Sequence, residues 1–239
     1  MADVTKPTRR EERRIQTVRE IKDRAMRQVS EGGPDAVSLS GIVREMSMSP
    51  AAVYRYFDSR DALLADLVVD AYDELADALV ALEGSERSSE DHLDAVLRQT
   101  RAWALQKPNA YRLIFQTSLG SGEHFAADRT IPASSRSMAV IVSAIAGVAG
   151  SRPSPAAGTP GSGLEAALLA WRERTGLERI PVDVLALAFL SWTRLHGIIS
   201  LELGGHLAAT GIGAAVLFDA EVASITAAAA DLASPPTGS

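Results

Sequence analysis

Arg55 stands between Tyr54 and Tyr56 in the stretch Ser49-Pro-Ala-Ala-Val-Tyr-Arg-Tyr-Phe57, a set of side chains suited to a polyanion. An arginine fork donates to guanine or phosphate, tyrosine hydroxyls reach phosphate oxygens, and alanine methyls meet thymine methyls. A helix over 50–57 would sort these groups by direction. At about 100° per residue, Val53 and Phe57 share one face, and their apolarity makes it the buried one. Ala51 and Arg55 then point away from the body, with Tyr54 and Tyr56 on the flanks and Ala52 beside Tyr56. Ser49 is expected outside the helix, because proline disfavours the α region for the residue before it; its hydroxyl can cap free N–H groups while Pro50 fits the first helical position. The tyrosines would also serve as half-buried surface aromatics, so the local pattern leaves both roles open.

Other chemistries find less support. The chain has no cysteine, which excludes disulfides, thiolate zinc sites and cysteine nucleophiles. His92, His124, His196 and His206 form neither an HExxH motif nor a zinc-like spacing, so no metal and no cofactor is expected. No G-x-S-x-G elbow, P-loop or complete G-x-G-x-x-G occurs; Gly211-Ile-Gly213 stops short of the last. An all-helical enzyme or a scaffold protein would need a constellation that no motif announces.

Charge distribution is more informative than the net charge of −6. Residues 1–62 hold 12 Lys/Arg against 10 Asp/Glu, while residues 63–239 hold 12 against 20. A basic front on an acidic body fits a small DNA-facing domain joined to a larger one that does not face DNA, although a solvated charged helix gives the same count. The N-terminus lacks an apolar signal region, and the longest apolar runs, near 138–148 and 185–192, read as too short for a bilayer. A cytoplasmic protein with no membrane partner is expected.

The elements that position these residues read as helices throughout. Residues 1–10 read as a disordered basic tail. A helix at about 11–30 carries Ile15, Val18, Ile21, Ala25 and Val29 on one face, and Gly32-Gly33-Pro34 stops it. Ser38 caps a second helix to about Met46, and the break Ser47-Met48-Ser49 precedes the third. Asp58-Ser59 opens a long helix to about Leu82. Further helices fall at about 88–106, 108–118, 132–148, 164–174, 181–207 and 213–232. Residues 150–163 read as a mobile loop and 233–239 as a disordered tail. The fold class is all-α, with no strand and no repeat.

The run Val37-Ser38-Leu-Ser40-Gly-Ile42-Val43, followed by Ser49-Pro-Ala51-Ala52-Val-Tyr54-Arg55-Tyr56-Phe57-Asp-Ser-Arg60-Asp-Ala-Leu63-Leu64, resembles the N-terminal domain of TetR-family transcriptional regulators. The resemblance spans roughly residues 14–64 and implies a helix-turn-helix DNA-binding domain at 11–58. It implies base-facing positions at Ser40, Ala51, Ala52 and Arg55, and phosphate-facing ones at Tyr54, Tyr56 and Arg60, with Ser49 at the helix start. Two residues depart from the family pattern: Ser47 stands where the turn usually has glycine, and Val43 where the second helix usually has alanine.

The same resemblance implies that 59–232 form a ligand-binding and dimerisation domain, a homodimer on a double-stranded DNA operator, and a small-molecule effector. Repression relieved by the effector is the expected mode, with activation the alternative. The helix at 181–207 is too apolar for a surface. Leu185, Phe189, Trp192, Gly197, Leu201 and Gly204 are its expected dimer residues, pairing with two-fold copies in a four-helix interface. Trp192…His196-Gly197 also resembles the C-terminal domain of one TetR subgroup. Trp103, Tyr111, Phe115, Trp171 and His196 are the expected effector contacts, although ordinary core packing explains the aromatics as well.

Overall fold

A computed structural model describes residues 8–84, 86–115, 126–150 and 163–233. All regular structure among them is helical: α1 Arg9–Gly32, α2 Leu39–Glu45, α3 Pro50–Val53, α4 Arg60–Val80, α5 Ser89–Gln106, α6 Pro108–Phe115, α7 Ala127–Ala149, α8 Gly163–Thr175, α9 Val182–Leu203 and α10 Ala214–Ala233. A 3₁₀ turn, Pro34–Ala36, joins α1 to α2, and another, Ala208–Thr210, joins α9 to α10. The expected mobile loop and both chain ends lie outside the described residues, apart from their edges.

The chain divides into two compact units, Met1–Ala71 with Asn109–Thr130 and Tyr72–Pro108 with Ile131–Ser239. The division falls within α4 and α7 rather than at the 58/59 boundary expected from sequence. The first half of α4 belongs with the small helices because Leu63, Leu64 and Leu67 are core residues and Lys22 of α1 bridges Asp66 and Asp70 at 3.2 and 2.7 Å.

In the first unit α1 starts earlier than expected. Thr8 is its N-cap: the Thr8 hydroxyl accepts from Glu11 N–H, and the Glu11 carboxylate accepts from Thr8 N–H at 2.6 Å. That reciprocal capping box fixes Arg9 and Arg10 inside the helix and not in a disordered tail. The core face is also shorter than predicted. Ile21, Ala25 and Val29 are buried, but Ile15 is 47% exposed, because α2 and the 3₁₀ turn cover only the C-terminal half of α1. Gly33 ends α1 with φ 77° and ψ 178°, a conformation open essentially to glycine alone.

The second unit is organised on α9, which packs against α10, α8 and α5. Val184, Leu185, Ala188, Ser191, Leu195, Ile198 and Ile199 form its inward stripe. Leu185 is therefore fully buried within the chain, which removes it from the expected dimer residues. Periodicity shows that α9 is apolar on two sides, but not which side meets its own chain. Partner helices are pinned at their edges by ion pairs. Arg101 of α5 grips Glu202 with two hydrogen bonds, at 2.8 and 2.5 Å, and lies 5.4 Å from the centre of the Phe218 ring. Arg98 joins Asp94 to Asp219 of α10, and Arg194 pairs with Glu221 at 2.9 Å.

The apolar runs read as too short for a bilayer lie in longer helices than expected. Asp128–Ala149 and Val182–Leu203 are 22 residues long, and an 18-residue stretch of each has a mean hydropathy of 1.4 and 1.5 respectively, enough by length and composition to span one. Their interrupting serines, and Pro132 at the cost of one ladder bond, are carried inside the helices instead of ending them. For α9 the apolar surface is explained by three packing helices on one side and an exposed stripe on the other.

Candidate nucleic-acid interface

The site is built on α2, the turn after it and α3. Ser38 caps α2 as expected, its hydroxyl accepting from Gly41 N–H at 3.1 Å, while Gln28 of α1 accepts from Ser38 N–H at 2.8 Å. Such a cap contributes about 1 kcal/mol. Leu39, Ile42 and Val43 face inward, and Val43, the larger of the two departures, is 6% exposed. The other end of α2 is held by Glu45, which gathers Arg24 and Arg27 of α1 at 3.7 Å and Gln28 at 3.3 Å.

The turn between the helices is a Schellman motif. Ser47 N–H bonds Arg44 C=O, Met48 N–H bonds Val43 C=O, and Ser47 itself sits at φ 51°. Serine thus enters the left-handed region that glycine usually fills, at a cost of about 1 kcal/mol. The geometry expected of a helix-turn-helix is reached without the glycine.

The third helix departs from expectation in length. It is α-helical only over Pro50–Val53, then tightens: Arg55 N–H bonds Ala52 C=O and Tyr56 N–H bonds Val53 C=O, each three residues back, before Phe57 N–H returns to Val53 C=O. Ser49 has the extended backbone of an N-cap, but its hydroxyl makes no cap bond; its carbonyl accepts from Ala52 N–H instead. The buried anchors are those expected, with Val53 at 0% and Phe57 at 5% exposure.

Outward-facing groups follow from those anchors. Ala51 and Arg55 are exposed, Ala52 is half-buried, and Tyr54 is 53% exposed. The Arg55 side chain has no hydrogen bond or ion pair among the described residues, so its guanidinium is available to a ligand. Ser40 is exposed, 3.0 Å from the Ser38 hydroxyl. Tyr56 is half-buried beneath Arg14 of α1, whose guanidinium lies 5.4 Å from the ring centre. Arg60 is differently engaged. Its guanidinium donates to Val37 C=O at 3.1 Å and Pro34 C=O at 2.6 Å, and pairs with Asp35 and Asp61. It ties the 3₁₀ turn to the start of α4, and a phosphate contact from it would have to replace those bonds.

Sequence reasoning missed the N-terminal arginines. Arg9, Arg10, Arg13 and Arg14 line, with Arg55 and Tyr56, a cleft of about 800 Å³. The T-x-x-E spacing of Thr8 and Glu11 is the signal that places them on a helix.

The expected effector residues are divided between the two units. Tyr111, 0% exposed, and Phe115 fall in the first unit with ring centres 5.0 Å apart; Trp103, Trp171 and His196 fall in the second. There Trp171 packs edge-on against Phe189 at 4.9 Å, Phe189 meets Trp192 at 6.4 Å, and Trp192 meets His196 at 5.1 Å. Loss of surrounding water pushes the His196 imidazole down to about 4, so it is neutral at pH 7. The buried Trp103 indole N–H and Ser191 hydroxyl have no hydrogen-bond partner among the described residues.

Comparison with known proteins gives a consistent picture. Residues 21–67 match the family described as bacterial regulatory proteins, tetR family, and residues 93–225 match the tetracyclin repressor-like C-terminal domain. The HTH-type transcriptional regulator Rv1816 of Mycobacterium tuberculosis is 30% identical over 237 residues, covering 97% of this chain and all of that protein. Mb1846 of Mycobacterium bovis matches to the same extent. Among solved structures, the regulatory protein SCO4313 is 36% identical with a TM-score of 0.72, covering 91% of this chain and 98% of its own.

Proposed function

The chain belongs to the TetR family of helix-turn-helix transcriptional regulators, and on that premise we propose that it is a homodimeric repressor of a palindromic operator, released by a small-molecule effector. It is a regulator and not an enzyme. The observation that carries the DNA-reading role is the unpartnered guanidinium of Arg55, presented beside exposed Ala51 on a short helix whose other face is anchored by Val53 and Phe57. Arg55 reads a base edge, Ala51 and Ala52 permit close approach, and Tyr54 and Tyr56 contact the backbone.

Support for the dimer comes from α9 and α10. Leu190, Thr193, Gly197, Leu201 and Gly204 recur on the exposed face of α9, and Val216, Ala220, Ala223 and Ala227 on that of α10. Leu190 is 52% and Val216 69% exposed, a cost that a two-fold copy removes by closing a four-helix interface. Phe189 and Trp192 are half-buried against their own chain and contribute at its edge. Small residues such as Gly197, where an added Cβ would meet nothing, allow the helices of the two copies to approach closely.

The effector reading is supported by two of the buried polar groups without a hydrogen-bond partner among the described residues, the Trp103 indole N–H and the Ser191 hydroxyl. A ligand able to satisfy such groups gains hydrogen bonds the free protein lacks. It releases DNA only insofar as it binds the released form more tightly than the bound one.

Selection of genomic fragments by the purified protein tests the whole reading. A palindrome whose half-sites lie about 34–36 Å apart is expected. Arg55→Ala should then weaken binding by about 1–3 kcal/mol and relax preference at one base pair of each half-site. Unchanged preference in that variant would refute the assigned orientation of the helix.

A further inference from the structure

The sequence RREERR at the start of α1 looks balanced in composition but is not balanced in space. At about 100° per residue, Arg9, Arg13, Arg10 and Arg14 occupy one continuous arc of roughly 140°, and both glutamates fall outside it. Glu11 is further occupied by the capping box, where hydrogen bonds from Thr8 hold its carboxyl below the usual value. None of the four arginines forms an ion pair among the described residues. Their arc continues onto Tyr56 through the Arg14 stacking contact, and from there to Arg55, so that one cleft of about 800 Å³, lined by these five arginines, Tyr56, Thr8 and the capped Glu11, joins the first two turns of α1 to the recognition turn with an excess of positive charge.

We propose that this cleft holds the sugar–phosphate backbone of the duplex flanking the bases read by Arg55, which extends the DNA footprint beyond the helix-turn-helix. The inference rests on the DNA-binding reading above. Four guanidinium groups on one arc, outnumbering the one carboxylate of Glu11 in the cleft, cost self-repulsion in the free protein, and a polyanion relieves it. Exposed, flexible arginines of this kind suit phosphate contact, which positions a protein without selecting sequence. Arg14 acts in part through Tyr56, since stacking on the ring holds that side chain toward the cleft.

The test uses the full chain, its Arg10→Gln/Arg13→Gln variant, and two duplexes, one selected by the protein and one of scrambled sequence and equal length. Both substituted side chains are exposed and unpartnered among the described residues, so the thermal transition of the variant should match that of the parent. For the parent, log affinity should fall steeply with log salt on both duplexes. In the variant the slope should be shallower by about 0.9 for each phosphate it no longer neutralises, equally on both, with base preference unchanged. Trimming the flanks of the selected duplex should weaken the parent at least tenfold and the variant hardly at all. Equal slopes and equal flank dependence in the two proteins would overturn the proposal while leaving the regulator reading intact. A change in base preference at flanking pairs would also overturn it, in favour of groove reading by these arginines. Failure of the parent to bind either duplex would remove the DNA-binding reading itself, and the cleft with it.

Discussion

Arg9, Arg10, Arg13, Arg14 and Arg55 in the first compact unit carry no carboxylate partner among the described residues, whereas Arg98, Arg101, Arg136 and Arg194 in the second are each tied to at least one. The contrast separates two uses of the same side chain. In the second unit guanidinium groups fix helix to helix; Arg136 for instance spans Asp73 and Asp77 at 2.5 and 2.7 Å. In the first unit Lys22, Arg24, Arg27, Arg60 and Arg129 serve the same structural purpose, while Arg9, Arg10, Arg13 and Arg14, without ion pairs among the described residues, line one cleft with Arg55. A chain of net charge −6 can therefore offer a cationic face to DNA, because the excess carboxylates lie elsewhere or are already engaged. Location decides the partner more than the sum does.

The sharpest way to probe the comparison is to unpair an arginine in the second unit. Glu202→Ala leaves Arg101 half-buried with neither of its two carboxylate bonds, and its side chain is only 22% exposed in the intact pair. Loss of one partner of a well-shielded pair costs about 3 kcal/mol, visible as a lower urea midpoint. The DNA salt slope should stay unchanged when measured well below that midpoint. A steeper slope would mean that the freed Arg101 also meets DNA, and the division of labour would fail.

Acid should act on the second unit by a different route. His196 titrates near 4 in the folded chain against an ordinary value of 6.5, so the unfolded chain binds its proton first. The depressed value contributes stability above about pH 6.5, and that contribution is lost as pH falls toward 4. Between about pH 7.5 and 5 the loss should be about 2 kcal/mol. His196→Gln removes the titrating group, so its stability should stay level over that interval while the parent's falls. A parallel fall in both proteins would place the cause elsewhere.

The parts of the molecule legible in sequence are those decided locally. Ser38 as a cap, Ser47 as the strained turn residue, and Val53 and Phe57 as anchors follow from spacing and backbone preference within a few residues. Val43 reads as enlarging the contact between helices, and it is buried. The misreadings have longer-range causes. Ile15 obeys the apolar period of α1 but is only half covered, and Leu185 belongs to a helix apolar on two sides, where period alone cannot choose the inner one. The bonds that Arg60 makes to the carbonyls of Pro34 and Val37, distant in sequence, are likewise not visible in the local pattern. The pattern carries the third helix to Phe57, yet its last turn tightens after Val53. That leaves Arg55 on three-residue hydrogen bonding, a detail the sequence pattern does not carry.

The smallest predicted effect bears on that same turn and closes the comparison from the side of the first unit. Ser47 at φ 51° costs about 1 kcal/mol relative to glycine in the same conformation. Glycine would relieve that strain but would also widen the unfolded ensemble, which offsets part of the gain. Ser47→Gly should therefore stabilise the chain by a few tenths to about 1 kcal/mol, read as a small upward shift of the thermal transition. Ser47 is exposed and belongs to the first unit, whereas Arg101, Glu202 and His196 belong to the second, so the acid response and the Glu202→Ala penalty should be unaltered. If the strain were instead holding α3 in its reading position, the variant would gain stability and lose base preference together. Retained preference with raised stability would show that the Schellman bonds from Ser47 and Met48, and not the identity of the turn residue, set the aim of Arg55.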